Sequence, residues 1–265
     1  MKDLIKTMRP VKWAKNIIIF GGLLFTQNLL NPLLGLRSIL AFLIFCLLLG
    51  ACYIILDLTQ AEIKFGKLSR TRAELALIFI VLGAIVSAFL LGTPFGSCAL
   101  LYFILTLAYF FYLKEVVILD LLTFSVLFTL TALAGTWVIG AFLSPWLTVL
   151  IMLLGVFLAL AFRLNDPGRY DLSFIQQLTQ IHLPVIIVIY ILYTLISEDA
   201  VIKFRTLNLI YTIPFFIFGL FRFLYLVTAK KEEDIEKLFF TDRSSLINLG
   251  LWGLLTGLII YVFHW

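Results

Sequence analysis

The chain has 265 residues, 63% of them hydrophobic and only 13% charged, with a formal net charge of +5. An ordinary soluble domain carries about a quarter charged residues, so no water-soluble fold of this length could hide so much apolar surface. The composition defines a polytopic membrane protein, and its membrane-length apolar runs make it all-α.

Lys2, Lys6, Arg9, Lys12 and Lys15 precede any long apolar run, and no cleaved signal peptide is visible. Segments long enough to cross a bilayer then lie near 16–33, 37–57, 74–93, 96–113, 116–138, 145–163, 181–197, 206–228 and 245–263, which predicts nine transmembrane helices. Turn-forming or charged residues punctuate them: Asn31-Pro32, Gly92-Thr93-Pro94, Ser144-Pro145, Asp166-Pro167-Gly168 and the stretch from Lys230 to Arg243. Only Lys114-Glu115 separates the fourth span from the fifth. Cys46, Cys52 and Cys98 all fall in apolar runs without a pairing or zinc-ligand pattern, and read as buried thiols.

The basic residues set an orientation. Seventeen of them collect on the side of the N-terminus, leaving Arg37, Lys203 and Arg205 on the other face. The bias predicts a cytoplasmic N-terminus and, with nine spans, a C-terminus outside. It also accounts for the basic charge without a nucleic-acid partner. Most acidic residues share the cytoplasmic side, among them Asp57, Glu62, Asp120, Asp166, Asp171 and Asp242. A face crowded with both signs and with aromatic residues is where a membrane lipid and a soluble charged substrate would meet.

Four segments on that side carry the candidate chemistry. Arg9-Pro10-Val11-Lys12-Trp13-Ala14-Lys15-Asn16 leads into the first span; it reads as an interfacial anchor, except that the Asn16 amide sits in apolar sequence and needs partners. Asp57 ends the second span, and Asp57, Gln60 and Lys64 share one helical face. Carboxylates there suit Mg2+, which takes one or two of them plus phosphate oxygens, but only Asp57 on that stripe is acidic. The alternative is a helix end solvated by headgroups. Tyr109-Phe110-Phe111-Tyr112-Leu113-Lys114 precedes Asp120, which lies inside an apolar helix and is a functional candidate on that ground; an interhelical hydrogen bond is its plainer role. Lys114 suits a phosphate as a point charge. The fourth, Arg163-Leu164-Asn165-Asp166-Pro167-Gly168-Arg169-Tyr170, offers two arginine forks for phosphate, or a positively charged cytoplasmic turn. His182 and His264 form no dyad, and no nucleotide loop, dinucleotide fingerprint, zinc spacing or nucleophile elbow is present.

Together these segments resemble the UbiA superfamily of membrane prenyltransferases, and within it the decaprenyl-phosphate phosphoribosyltransferase-like branch. The resemblance runs through Arg9-Pro10-x-x-Trp13-x-Lys15-Asn16, Tyr53 to Arg72, Tyr109-x-x-x-Leu113-Lys114 with Asp120, Tyr170-Asp171-Leu172-Ser173-Phe174-Ile175, Arg222-Phe223-Leu224-Tyr225-Leu226 and Thr241-Asp242-Arg243. It implies that residues 1–265 form a single transmembrane domain, a nine-helix bundle around a central cavity in a bacterial inner membrane. It further implies transfer of 5-phosphoribose from phosphoribosyl diphosphate to a polyprenyl phosphate, or a related prenyl transfer.

On that resemblance Asp57, Asp120 and Lys114 are the catalytic candidates, with Asp57 and Asp120 holding Mg2+. Arg9, Lys15, Asn16, Tyr109, Arg163 and Arg169 would bind substrate. The first family motif, Asn-Asp-x-x-Asp-x-x-x-Asp, is degenerate here, reading Leu56, Asp57, Gln60 and Lys64 at its defining positions. Thr131 stands for an expected arginine, and Phe162-Arg163 for a Lys-Arg pair. Two readings follow: a transferase acting on a polyprenyl lipid and a diphosphate-containing substrate, or a catalytically impaired lipid-binding or protein-partner subunit that keeps the fold. A transporter ranks behind both, because broken helices do not repeat between two halves.

Overall fold

The structure, a computed structural model, describes residues 2–59, 70–229 and 241–262. Every regular element among them is helical. A helix satisfies its own backbone donors and acceptors, which lipid cannot do, so long apolar runs have little alternative. Among the described residues eight stretches are long and apolar enough to cross a membrane: Pro32–Thr59 (α3), Arg70–Leu91 (α4), Thr93–Phe111 (α5), Leu119–Trp137 (α6), Pro145–Asn165 (α7), Leu172–Lys203, Asn208–Ala229 and Arg243–Tyr261 (α10). Within the sixth and seventh lie the helices Leu172–Ile196 (α8) and Ile213–Ala229 (α9). Helix α4 shows what surrounds them: only 11% of its most apolar window is buried, and Phe79 and Leu90 stand almost fully exposed. Such a surface belongs in lipid. The protein is a multi-pass membrane protein.

The span expected over 16–33 takes a different form. After a short helix Lys2–Thr7 (α1), residues Pro10–Phe20 form a 3-10 helix, followed by only five α-helical residues, Gly21–Phe25 (α2). Local chemistry explains the start. Proline disfavours the α conformation in the residue before it, so α1 cannot run through Arg9. Arg9 adopts a left-handed conformation (φ 50, ψ 66), and Pro10 opens the 3-10 segment where its missing N–H is no loss. Other boundaries shift for simpler reasons. Helix α8 begins at Leu172 rather than near 181 because Asp171 caps it, accepting from the Ser173 N–H at 3.3 Å, which carries the helix through the polar Gln176-Gln177. Between α5 and α6 the short turn Leu113–Glu115 suffices.

The chain divides into two compact units, Met1–Thr123 with Leu127–Leu143, and Phe124–Val126 with Ser144–Trp265. In the first, Phe45, Phe95 and Tyr102 form the buried centre, with the Phe45 ring 4.7 Å from that of Tyr102 and 5.9 Å from that of Phe95. The 3-10 segment and α2 press onto α6 backbone to backbone: a Cβ on Gly135 would lie 2.2 Å from the Ile19 carbonyl oxygen, and one on Gly22 would lie 2.8 Å from that of Gly135. Cys46, Cys52 and Cys98 are unpaired and buried, as their setting in the sequence predicts.

The second unit is built on α7 and α8. Gly155 admits the backbone of Ser125, whose hydroxyl donates to the Met152 carbonyl at 2.5 Å. A ring nitrogen of His182 bonds the Leu153 carbonyl at 2.8 Å, so this histidine is a packing residue. His264 lies outside the described residues. Tyr190 stacks on Phe216 at 3.9 Å, receives the Trp252 indole N–H at 2.9 Å and shares a hydrogen bond with Thr212. Ser144 caps α7, accepting from the Leu147 N–H at 3.3 Å while donating to the Asp199 carboxylate.

Candidate functional site

At one end of the first unit the chain turns into the 3-10 segment beside the C-terminal end of α3. Met8, 4% exposed, seats its side chain against Gly50, and the Trp13 indole N–H donates to the Met8 carbonyl at 3.1 Å. These contacts fix the turn, and the turn aims Arg9 at α3. Its guanidinium bonds the Asp57 carboxylate at 3.1 Å and lies 4.7 Å from the centre of the Tyr53 ring. Tyr53 and Asp57 are one helical turn apart, so both present to the same arginine. The two partners differ sharply in exposure: the Asp57 side chain is 6% exposed and that of Arg9 44%. A buried acid is thus neutralised by a cation that still faces outward.

An aromatic connection carries the site onward. The Tyr53 ring packs 5.1 Å from Phe110 near the end of α5, and Phe110 lies 5.9 Å from Tyr109. The Tyr109 hydroxyl donates to the Asp120 carboxylate at 2.8 Å, in the first turn of α6. Asp120 is 2% exposed. It follows Ile118, which is held at φ 71, a backbone region that β-branched residues rarely occupy. The Arg9–Asp57 and Tyr109–Asp120 pairs are thus linked through the Tyr53 and Phe110 rings. Lys15 is half-buried in the 3-10 segment. Lys114 is half-buried in the turn just before α6, with its ammonium 4.0 Å from Glu115.

Other predicted site residues lie elsewhere. Asn16 is fully buried and donates to the Cys46 sulfur at 3.6 Å; its carbonyl oxygen accepts no hydrogen bond among the described residues. Cys46 precedes Asp57 by eleven residues of α3, about 16 Å, so Asn16 sits far deeper than Arg9. Arg163 and Arg169 belong to the second unit, where the Arg163 guanidinium lies 6.0 Å from the Tyr170 ring. Gln60, Glu62 and Lys64 lie outside the described residues. In sequence Tyr53 is only the start of the Tyr53-to-Arg72 segment; its position four before Asp57 is the signal for its part as the arginine's platform. A groove of about 410 Å³ lies between α9 and α10, lined by Pro214, Phe218, Ile247 and Leu251 among others, and holds none of the predicted site residues.

A divalent cation does not fit this arrangement readily. Among the described residues no three acidic, histidine or cysteine side chains gather as a metal would require. Of the two acids read as metal ligands, Asp57 is already neutralised by Arg9 and Asp120 accepts from Tyr109.

No protein-family model matches the chain. Its structure is similar to that of a UbiA homolog from Archaeoglobus fulgidus bound to Cd2+, with a TM-score of 0.72 over 98% of this chain and 100% of the other, at 15% sequence identity. The protein is a membrane helix bundle with a UbiA-like fold. In sequence it is 34% identical over 175 residues to the uncharacterized protein y4nM of Sinorhizobium fredii (strain NBRC 101917 / NGR234), a match covering 62% of this chain and 34% of that protein. The chain spans about a third of the length of that relative.

Proposed function

We propose that residues 1–265 act as a single UbiA-like transferase domain in a bacterial inner membrane, with the N-terminus and the Arg9–Asp57 end at the cytoplasmic face. The observation that carries this reading is the convergence of Arg9–Asp57 and Tyr109–Asp120 through Tyr53 and Phe110, in a fold shared with a UbiA homolog. Such a site meets both a lipid headgroup and a soluble anion.

The reaction is transfer of 5-phosphoribose from phosphoribosyl diphosphate to a polyprenyl phosphate. The bond from the ribose anomeric carbon to the diphosphate breaks, and the diphosphate leaves with the electron pair. A phosphate oxygen of the lipid forms the new bond to that carbon. Arg9, Lys15 and Lys114 offset the charge of the phosphates. Asp57 holds and recovers Arg9, while Asp120 orients Tyr109 toward the substrate. Asn16 of the 3-10 segment is enclosed beside Cys46 and takes no part in these steps. Mg2+, implied by the family resemblance, has no ready-made ligand set among the described residues, and no step here passes through it.

Purified protein given phosphoribosyl diphosphate and polyprenyl phosphate should form a lipid-linked ribose product, lost or strongly reduced in Asp57→Asn and Asp120→Asn. The engagement of Asp57 by Arg9 also supports a second reading, a lipid-binding or partner subunit without turnover. Retained binding of polyprenyl phosphate with no product from any prenyl acceptor or diphosphate donor would establish that one instead.

A further inference from the structure

We infer that this end of the first unit is a metal-independent phosphate site, in which Arg9 takes the place of a divalent cation and exchanges between Asp57 and an incoming phosphate or diphosphate. The inference deepens the transferase reading, resting on it only for the identity of the phosphate carrier.

The charge balance is the first support. A metal-bound diphosphate site presents one or two carboxylates to the cation, which completes its shell with phosphate oxygens and water. Here Asp57 is already paired with a guanidinium at 3.1 Å, and the other acid, Asp120, accepts from the Tyr109 hydroxyl at 2.8 Å. An acid neutralised by an outward-facing guanidinium leaves that guanidinium to take an anion directly.

The geometry of Arg9 is the second. A guanidinium is always charged, presents a planar fork suited to phosphate and stacks on aromatic faces. That of Arg9 rests over the Tyr53 ring, so it can turn toward the solvent side without leaving its platform. Its side chain is 44% exposed, against 6% for Asp57, so an anion reaches the arginine without entering the acid's pocket. The backbone holds Arg9 in a left-handed conformation that costs a non-glycine residue free energy, and strain of this kind is concentrated at ligand clamps. Met8 against Gly50 and Trp13 against the Met8 carbonyl keep it there.

In this site Asp57 is a competitor for Arg9, which reverses the sign expected of a metal ligand. Removing its charge should tighten phosphate binding, whereas removing a metal ligand should abolish it. The test uses the full chain in nanodiscs with EDTA present and no added divalent ion. Binding is titrated separately with inorganic diphosphate and with polyprenyl phosphate, read by intrinsic tryptophan fluorescence and by calorimetry. The expected results are binding of at least one probe in EDTA, changed little by added Mg2+, and weakened about tenfold or more in Arg9→Gln. Asp57→Asn should bind more tightly than the wild type. Which probe responds separates a free diphosphate from a lipid phosphate.

Binding that requires Mg2+, loss of binding in Asp57→Asn, or failure of both probes to bind overturns the inference. Should Arg9→Gln not fold, the sign of the Asp57→Asn effect decides alone. A protein that binds phosphate in EDTA yet shows no turnover refutes the transferase reading and leaves this site standing. Mg2+-dependent turnover does the reverse.

Discussion

Arg222 and Asp242 join α9 to α10 through two parallel hydrogen bonds, Nε to Oδ2 at 3.0 Å and Nη2 to Oδ1 at 2.6 Å. The same carboxylate caps α10, accepting from the Ser245 backbone N–H and hydroxyl, each at 2.9 Å. The arginine fork foremost, then Ser245, holds the Asp242 carboxyl far below the usual carboxylate range. A carboxylate with a depressed native pKa contributes stability in full above its unfolded value of about 4, and that contribution drains away as pH falls further. Thermal unfolding in detergent should therefore show wild type and Asp242→Asn separated at pH 6 to about 7 and converging as pH drops below about 4. A gap that stays constant with pH would show that the fork does not carry this coupling.

Gly135 and Gly22 bring α6 and the N-terminal segment into backbone contact, with no room for a methyl group at either. Gly135→Ala should destabilise by at least about 1–3 kcal/mol, the usual cost of overpacking. It should also lower phosphate binding, since the 3-10 segment that carries Arg9 is pushed off its seat. A variant as stable as the wild type would mean that the two backbones are free to part.

Gly50→Leu tests how Arg9 is aimed. A Cβ at position 50 already falls 2.9 Å from the Met8 Cβ and 2.5 Å from its Cε, so a larger side chain must move the turn. The Arg9–Asp57 pair should open and phosphate affinity fall, while Gly83→Leu, where an added Cβ meets nothing within 4 Å, should leave binding unchanged.

Ile118 sits at φ 71 immediately before α6, half-exposed. Glycine adopts this backbone freely, so Ile118→Gly should raise stability by about 1 kcal/mol if the strain serves no other purpose. A stabilised protein with impaired turnover would tie the strain to the placement of Asp120.

Tyr109→Phe removes the hydroxyl that the buried Asp120 accepts from. Loss of a hydrogen bond to a buried carboxyl group costs about 1–3 kcal/mol, and turnover should fall with it. Unchanged turnover would remove Tyr109 from the site.

How much of this was legible in the sequence depends on the residue. Apolar runs of membrane length announce the helices, because lipid leaves the backbone few choices. The pairing of α9 with α10 was foreshadowed by the Arg222 and Asp242 segments but not derivable from them, since partners twenty residues apart are chosen by packing. The span over 16–33 shows the limit more clearly. Hydropathy registers its apolar residues but is blind to rise per residue, so an eleven-residue 3-10 helix and an α-helix look alike. Asp57 was visible as an expensive acid near a helix end. Its occupation by Arg9, forty-eight positions earlier, was not, because the αL turn that aims the arginine is set by Pro10, Met8 and Gly50 acting together.

The 3-10 segment has a mechanical consequence. At about 2.0 Å per residue its eleven residues reach about 22 Å, where an α-helix of the same length reaches about 16 Å. Its far end is pinned where Gly22 meets Gly135, so the extra reach is spent at the near end, on Arg9. As an α-helix the segment would be shorter by about one helical turn, and it could not keep both Gly22 on Gly135 and Arg9 on Asp57.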